Sequence, residues 1–193
     1  DYAAIQVYEM PEMKQVAEWQ HNATPIQGQI RILKQILEQI ADTVGVQNEI
    51  YYSIENNTLG EAGLVAISDI GEENIPGVLL SETVRKGHVR RFRKGYNTTH
   101  NSKMAACAKF KQMLESGSLS IKSKNLITEL KNFVATGNSF SAKIGEHDDH
   151  VMATLLVVRM AVSVATWDDK IFERLRDSDT EMTMPMPIFI SST

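Results

Sequence analysis

Residues 49–60 read Glu49-Ile50-Tyr51-Tyr52-Ser53-Ile54-Glu55-Asn56-Asn57-Thr58-Leu59-Gly60. The first half, Glu49–Ile54, is apolar and rich in aromatic and β-branched residues, which predicts a buried strand. Glu55 follows at the carboxyl end of that strand, where an open α/β sheet gathers its functional groups. The same position also suits a solvated glutamate that makes turn contacts with the Asn residues after it. Glu55 is therefore a candidate site residue whose role this stretch alone leaves open.

The elements on either side of this stretch alternate between strands and helices. Thr24, Pro25 and Gln27 predict a helix with a Thr N-cap, Pro at the first helical position and Gln in a capping box, ending at Gly45. The other predicted elements are an antiparallel hairpin of Asp1–Glu9 and Gln15–Gln20, helices at Leu59–Ile70, Ser102–Glu115, Ser123–Val134 and His147–Ala165, and strands at Val78–Leu80 and Ser139–Ile144. This order indicates a mixed α/β sheet with helices on its faces.

Length and composition limit the possibilities further. The 193 residues are 42 % hydrophobic and 23 % charged, which is typical of a globular chain and excludes a disordered or collagen-like one. We expect one domain over residues 1–176 and an extended tail over 177–193, as a piece of a longer chain. The longest apolar stretch, Val151–Ala165, is interrupted by Arg159 and is too short to span a membrane. The single Cys107 excludes an intramolecular disulfide and predicts a small buried helix residue.

Two adjacent carboxylates occur in Gly145-Glu146-His147-Asp148-Asp149-His150, at the predicted start of the last helix. Helix capping explains one of these aspartates well and the second less well. With a third carboxylate from a strand, the pair would form a hard oxygen site of the kind that binds Mg²⁺ or Mn²⁺. A zinc site would use His147 and His150, but the sequence offers no obvious third nitrogen or thiolate ligand.

One strongly basic run stands out in a chain whose net charge is -4. It has His88, Phe92 and Tyr96 interleaved and no apolar period, which predicts a loop or hairpin. Such a run is often only a solvated surface, but a cationic hairpin near a carboxylate crevice also suits binding of a phosphate backbone without sequence preference. The candidate DNA-binding residues are Arg85, Lys86, Arg90, Arg91, Arg93 and Lys94.

Three motifs together resemble a known family. They are Ile54-Glu55-Asn56-Asn57-Thr58-Leu59-Gly60, Lys103 at the opening of a helix, and Gly145-Glu146-His147-Asp148-Asp149-His150-Val151-Met152. In this order the chain resembles the nuclease domain of the large terminase subunit of tailed bacteriophages, and the myovirus branch in particular. The similarity runs through most of the chain, from the strand at Asp1-Tyr2 to the last helix.

The resemblance implies an RNase H-like fold, a mixed β-sheet flanked by helices on both faces. It implies a metal-dependent endonuclease that cuts concatemeric double-stranded DNA by two-metal phosphodiester hydrolysis. Glu55, Asp148 and Asp149 would be its catalytic metal ligands for Mg²⁺ or Mn²⁺, with Asp149 as principal ligand and Asp148 as second ligand or helix cap. The alternatives are another RNase H-like nuclease, such as a resolvase or transposase-like enzyme, and a non-catalytic DNA-binding fragment.

The resemblance also implies partners and a place of action. In the family an ATPase motor precedes the nuclease, and the full-length protein works with the portal and the small terminase subunit in the cytoplasm of the infected bacterial host. The first catalytic aspartate of the family lies on a strand upstream of the position matched by Asp1-Tyr2. We therefore expect this chain to lack that strand and to cut little DNA alone.

Overall fold

The structure is a computed structural model that describes residues 2–45, 50–86, 89–169, 171–173 and 175. The side chains of residues 58, 83–86 and 89–93 are outside this description. So are the predicted tail at 177–193 and Glu49, the first residue of the predicted strand Glu49–Ile54. Among the described helices, none is both long and apolar enough to cross a bilayer.

The chain begins with the predicted antiparallel hairpin. Strand β1 (Ala3–Glu9) pairs with β2 (Lys14–His21), and the register is irregular between Val7 and Tyr8. Helix α1 (Ile26–Val44) follows and ends at Gly45, whose φ of 67° is in the left-handed region that favours glycine.

The predicted start of α1 was wrong in its details. Pro25 is the N-cap and no side chain caps this helix, so there is no capping box. The Thr24 hydroxyl lies 2.7 Å from His21 Nδ1 instead. The Thr24 hydroxyl thus contacts His21, at the end of β2, and does not cap the helix as the sequence pattern predicts.

The candidate stretch around Glu55 forms a strand, a turn and a helix, as predicted, although the strand is short. Strand β3 (Tyr51–Tyr52) runs parallel to β4 (Val78–Leu79), and helix α2 (Thr58–Ile70) and a 3₁₀ turn (Glu72–Asn74) connect them. The basic run forms an antiparallel hairpin of β5 (Ser81–Lys86) and β6 (Val89–Lys94).

The second half of the chain is mostly helical, with one hairpin that was predicted only in part. The remaining elements are α3 (His100–Glu115), α4 (Lys124–Asn132), β7 (Phe133–Thr136), β8 (Ser139–Ala142) and α5 (Asp149–Val164). The helix predicted over Ser123–Val134 ends at Asn132 because Phe133 begins a strand that pairs with β8 and stacks its ring on Phe140 at 6.0 Å.

Helices cover both faces of the strands, and two groups of buried apolar side chains result. Tyr52 and Leu79 are buried with α1 and α2 in one group, whereas their neighbours Tyr51 and Leu80 pack with α3, α4 and α5 in the other. Successive side chains of a strand point to opposite faces, which accounts for this division. Cys107 is buried in the second group, as predicted. Helix α5 has buried residues from His150 to Val164, and the apolar ones among them belong to the second group.

Candidate functional site

Glu55 lies just beyond β3, and backbone hydrogen bonds fix its place. It forms a parallel bridge with Tyr96. The Tyr96 N–H donates to the Ile54 carbonyl at 3.0 Å, and the Asn56 N–H donates to the Tyr96 carbonyl at 2.7 Å. The residues on either side of Glu55 are therefore both bound to the segment that follows the basic hairpin.

The turn after Glu55 starts helix α2 by means of local side chains. The Gly60 N–H donates to Asn57 Oδ1 at 3.2 Å, so Asn57 is the N-cap of α2. The Asn56 amide donates to the Lys94 carbonyl at 2.8 Å. The Asn residues of the motif thus cap a helix and bind the hairpin base, whereas the turn interpretation had assigned them to contacts with Glu55.

Gly60 allows this turn to fold tightly over Glu55. A Cβ atom at position 60 would lie 1.6 Å from the Glu55 carbonyl oxygen, and backbone cannot give way as a flexible side chain can. Gly63, one turn further along α2, would place its Cβ 3.1 Å from the end of the Ile54 side chain. The glycine of the motif is therefore required by the close approach of helix and strand end.

Asp148 and Asp149 begin helix α5, as predicted. Asp148 is the N-cap residue, but its side chain accepts no capping hydrogen bond from the helix. Its Oδ2 atom accepts from the Ala142 N–H at 3.3 Å and lies 3.9 Å from Lys103 Nζ. Of the two roles considered for Asp148, the structure does not show that of a helix cap made by the side chain.

Asp149 lies in the first turn of α5 with 18 % of its side chain exposed. Its Oδ2 atom is 3.7 Å from His147 Nδ1, and the His147 ring meets the Tyr2 ring edge to face at 4.8 Å. Asp149 is thus both accessible and close to the helix N-terminus, where the free N–H groups favour a negative charge.

An N–H group at the start of α5 is satisfied by a residue that the sequence analysis missed. The Val151 N–H donates to Glu129 Oε2 at 3.0 Å, so a carboxylate from α4 caps α5. Burial raises the pKa of the Glu129 carboxyl, against the lowering effect of the hydrogen bond from Val151 and of nearby His150. The only sequence signal is an acid one turn after Leu126, on the buried face of a short amphipathic helix.

The two histidines of the zinc alternative have different surroundings. His150 is 1 % exposed, and its Nδ1 accepts from Gln6 Nε2 at 2.8 Å. Gln6 in turn accepts from Gln15 Nε2 at 2.7 Å. His147 is half exposed. His150 thus belongs to a buried polar layer between α5 and the first hairpin, and its Nδ1 atom already has a hydrogen-bond partner.

Lys103, which belongs to the motifs that carry the family resemblance, lies beside Asp148. It is in the first turn of α3, a helix that Thr99 and Ser102 start with a capping box. Its side chain is 17 % exposed, and Nζ lies 5.5 Å from the centre of the Phe133 ring. The start of α3 therefore brings a partly buried cation to the start of α5.

The donors at these positions are carboxylate oxygens, which suit a hard divalent cation held by few protein ligands and several waters. Within the described ranges, no group of three or more His, Cys, Asp or Glu side chains is arranged to hold a metal ion. A shared ion between Glu55 and Asp149, with water completing its shell, stays a prediction.

For most charged residues of the basic hairpin, the structure describes the backbone but not the side chain. The register places Arg85 opposite Arg90. Lys94 is described in full, and its Nζ lies 2.7 Å from Glu72 Oε2 in an exposed ion pair. The side chains of the other five candidate DNA-binding residues lie outside the described part of the chain: Arg85, Lys86, Arg90, Arg91 and Arg93.

Comparison with known proteins identifies the class to which this fold and these motifs belong. The family model described as the terminase RNaseH-like domain matches residues 1–161, and the chain belongs to this family. The chain is also similar to the crystal structure of the large terminase nuclease from thermophilic phage G20c with bound cobalt. The two are 18 % identical with a TM-score of 0.59, covering 82 % of this chain and 74 % of that one. No curated protein matches. The predicted resemblance and the RNase H-like fold are confirmed.

Proposed function

We propose that this chain is the nuclease domain of a viral DNA-packaging terminase and that it cuts concatemeric double-stranded DNA. The observation that carries the proposal is the family match over residues 1–161, which includes both acidic motifs, Lys103 and the basic hairpin. Membership of the terminase RNaseH-like family supports a nuclease role. The substrate and the manner of cutting are the further steps that we propose.

We assign the divalent metal to Glu55, Asp148 and Asp149, with Asp149 as principal ligand. The phage G20c nuclease was solved with bound cobalt, which supports a divalent ion for this chain, and we propose Mg²⁺ or Mn²⁺. When bound, a pair of such ions supplies an activated water and neutralises charge on the phosphodiester. The protein side chains hold carboxylate oxygens in place, and Lys103 balances the negative charge of Asp148.

The basic hairpin would bind the DNA backbone. Its two strands carry six cationic residues in a chain whose net charge is -4, and such a local basic run suits binding of a phosphate backbone without sequence preference. The base of the hairpin is bound to the Glu55 turn through Lys94 and Asn56, so bound DNA would be near one of the proposed metal ligands.

We further propose the setting that the family resemblance implies. The domain would act after an ATPase motor in the full-length protein, with the portal and the small terminase subunit as partners, in the cytoplasm of the infected bacterium.

A DNA-binding domain that does not cut is the second candidate. The observation in its favour is that the described residues contain no group of three or more potential metal ligands. Binding without cutting would require the basic hairpin but not the carboxylates. The two candidates therefore differ in what the removal of an acid would do.

The decisive experiment is cleavage of supercoiled plasmid DNA with Mg²⁺ or Mn²⁺, and with EDTA as control. The assay uses this chain and a version extended by the coding sequence upstream of Asp1, since the resemblance places another metal-binding aspartate there. We expect little cleavage by this chain and metal-dependent nicking or cutting by the extended one. An extended protein that folds and binds DNA but cuts with neither metal would favour the binding role.

A further inference from the structure

Arg159 is the one charged residue in helix α5 beyond its first turn. It lies ten residues after Asp149, or about 15 Å along the helix axis at 1.5 Å per residue. Its side chain is only 13 % exposed. Nη2 donates to Glu82 Oε1 at 2.9 Å and to the Asn97 carbonyl at 3.1 Å. A buried helix thus carries one cation, and that cation is directed at the base of the basic hairpin.

Tyr96 connects the same cation to the Glu55 turn. The Arg159 guanidinium lies over the Tyr96 ring at 5.0 Å, and the Tyr96 hydroxyl donates to Ser163 Oγ at 2.8 Å. The backbone of Tyr96 holds the residues on either side of Glu55, as described above. One residue therefore binds α5 with its side chain and the Glu55 turn with its backbone.

Glu82 connects the cation to the hairpin. The Glu82 N–H donates to the Gly95 carbonyl at 3.0 Å, across the base of the hairpin. Its Oε2 atom accepts from the Asn97 N–H at 3.1 Å, while Oε1 accepts from Arg159. Helix α5, the hairpin base and the Glu55 turn thus meet at Arg159, Glu82 and Tyr96, which we call the junction.

We propose that Arg159 is a positioning residue that holds the hairpin base and Glu55 in a fixed relation to α5, and through α5 to Asp148 and Asp149. As regards cleavage, this rests on the proposed function. The planar guanidinium has several donors in fixed directions and stacks on an aromatic ring, whereas a lysine has a single charged head and can do neither as well. The junction therefore requires arginine at this position and not merely a positive charge.

The test compares Arg159→Lys and Arg159→Met with Arg31→Met, an exposed arginine on α1 outside the junction. In the extended protein with Mn²⁺, we expect Arg159→Met to bind duplex DNA within about threefold of wild type. Its kcat should fall ~10- to 100-fold, because a displacement of about 1 Å at the reacting groups has costs of this order. Arg159→Lys should recover only part of that loss. Arg31→Met should match wild type.

Amide hydrogen exchange gives a measurement that does not depend on activity. In Arg159→Met and Arg159→Lys, we expect exchange at least ~10-fold faster at Asn56, Tyr96 and Asn97, whose N–H groups donate within the junction, and unchanged exchange in β7 and β8. If Arg159→Met does not fold, Arg159→Lys carries the test.

The failures are distinguishable. If wild type cuts nothing, the proposed function fails, and hydrogen exchange alone decides whether Arg159 holds the junction. If exchange at these amides is unchanged, or if kcat per folded molecule is unchanged, the positioning role is wrong. Equal losses in kcat and in DNA affinity would also contradict it, because they would place Arg159 in DNA binding.

Discussion

Each acidic motif of this protein stands at the start of a helix, but the two helices are started in different ways. Helix α2, after Glu55, is capped by Asn57, a residue of the same motif. Helix α5, at Asp148 and Asp149, is capped by Glu129, which lies 22 positions away from Val151 and in another helix.

The difference concerns Asp148, the N-cap residue of α5, whose side chain does not cap the helix. Since Glu129 satisfies an N–H group of α5, Asp148 turns its side chain to Ala142 and Lys103 instead. Glu55, by contrast, is fixed by the backbone bonds of its neighbours. Changes near Glu55 should therefore act through backbone fit, and changes near Asp149 through side-chain contacts.

The largest expected effect is on cleavage, and it should be equal for the two acidic motifs. In the extended protein, Glu55→Ala and Asp149→Ala should each lower cutting of plasmid DNA by at least ~100-fold, since each acid would help to hold charge-stabilising ions. Asp69→Ala, at an exposed acid of α2, is the control. Normal cutting by both site variants would refute the assignment.

The hairpin should affect binding and leave the metal site unchanged. Replacing Arg90, Arg91 and Arg93 by Ala should weaken binding equally for unrelated duplexes. Each lost phosphate contact lowers the slope of log affinity against log salt by about 0.9. Fluorescence anisotropy titrations from 50 to 300 mM salt measure this slope. An unchanged slope would mean that the hairpin is only a solvated surface.

Gly60→Ala should reveal how much the position of Glu55 depends on the close backbone contact with α2. The added Cβ would collide with the Glu55 carbonyl, so we expect at least ~10-fold less cleavage with DNA binding retained. Gly63→Ala is the matched control, because its Cβ meets only the end of a side chain. Similar activity in the two variants would show that the turn relaxes without moving Glu55.

Glu129→Ala should reveal how much the stability of the protein depends on the cap that Glu129 provides at the start of α5. The variant leaves the buried Val151 N–H without its acceptor, which should lower the free energy of unfolding by about 1–3 kcal/mol. Glu129→Gln keeps an acceptor oxygen and should lose much less. Denaturant unfolding of both variants checks this expectation. An equal loss in both would assign the effect to the charge and not to the cap.

The smallest effect belongs to the local cap. Asn57→Ala removes the acceptor for Gly60 N–H at an exposed helix start and should cost about 1 kcal/mol of unfolding free energy. Asn57→Asp keeps a capping oxygen and should therefore retain the wild-type free energy of unfolding, as measured by unfolding in urea. If Asn57→Ala costs more unfolding free energy than Glu129→Ala, the local cap of α2 contributes more to stability than the remote cap of α5, contrary to this expectation.

Much of the fold could be predicted because its signals are local. The hairpin at the start, the bounds of α2 and α3 within a few residues, and the start of α5 follow from turn residues, caps and apolar spacing. Strand β7 was missed because Phe133–Thr136 is short and gains its structure by pairing with β8. The start of α1 was misassigned because His21 binds the hydroxyl of Thr24.

The sequence by itself determined which residues are candidates for chemistry: the acids at the ends of elements, the single basic run and the order of motifs that defines the family. Only the tertiary structure decided how they are held. Glu129 at the start of α5, Lys103 beside Asp148 and Arg159 at the hairpin base are contacts between elements far apart in the chain. Local spacing encodes helix faces and turns, whereas such contacts depend on how the elements pack and leave no periodic signal in the sequence.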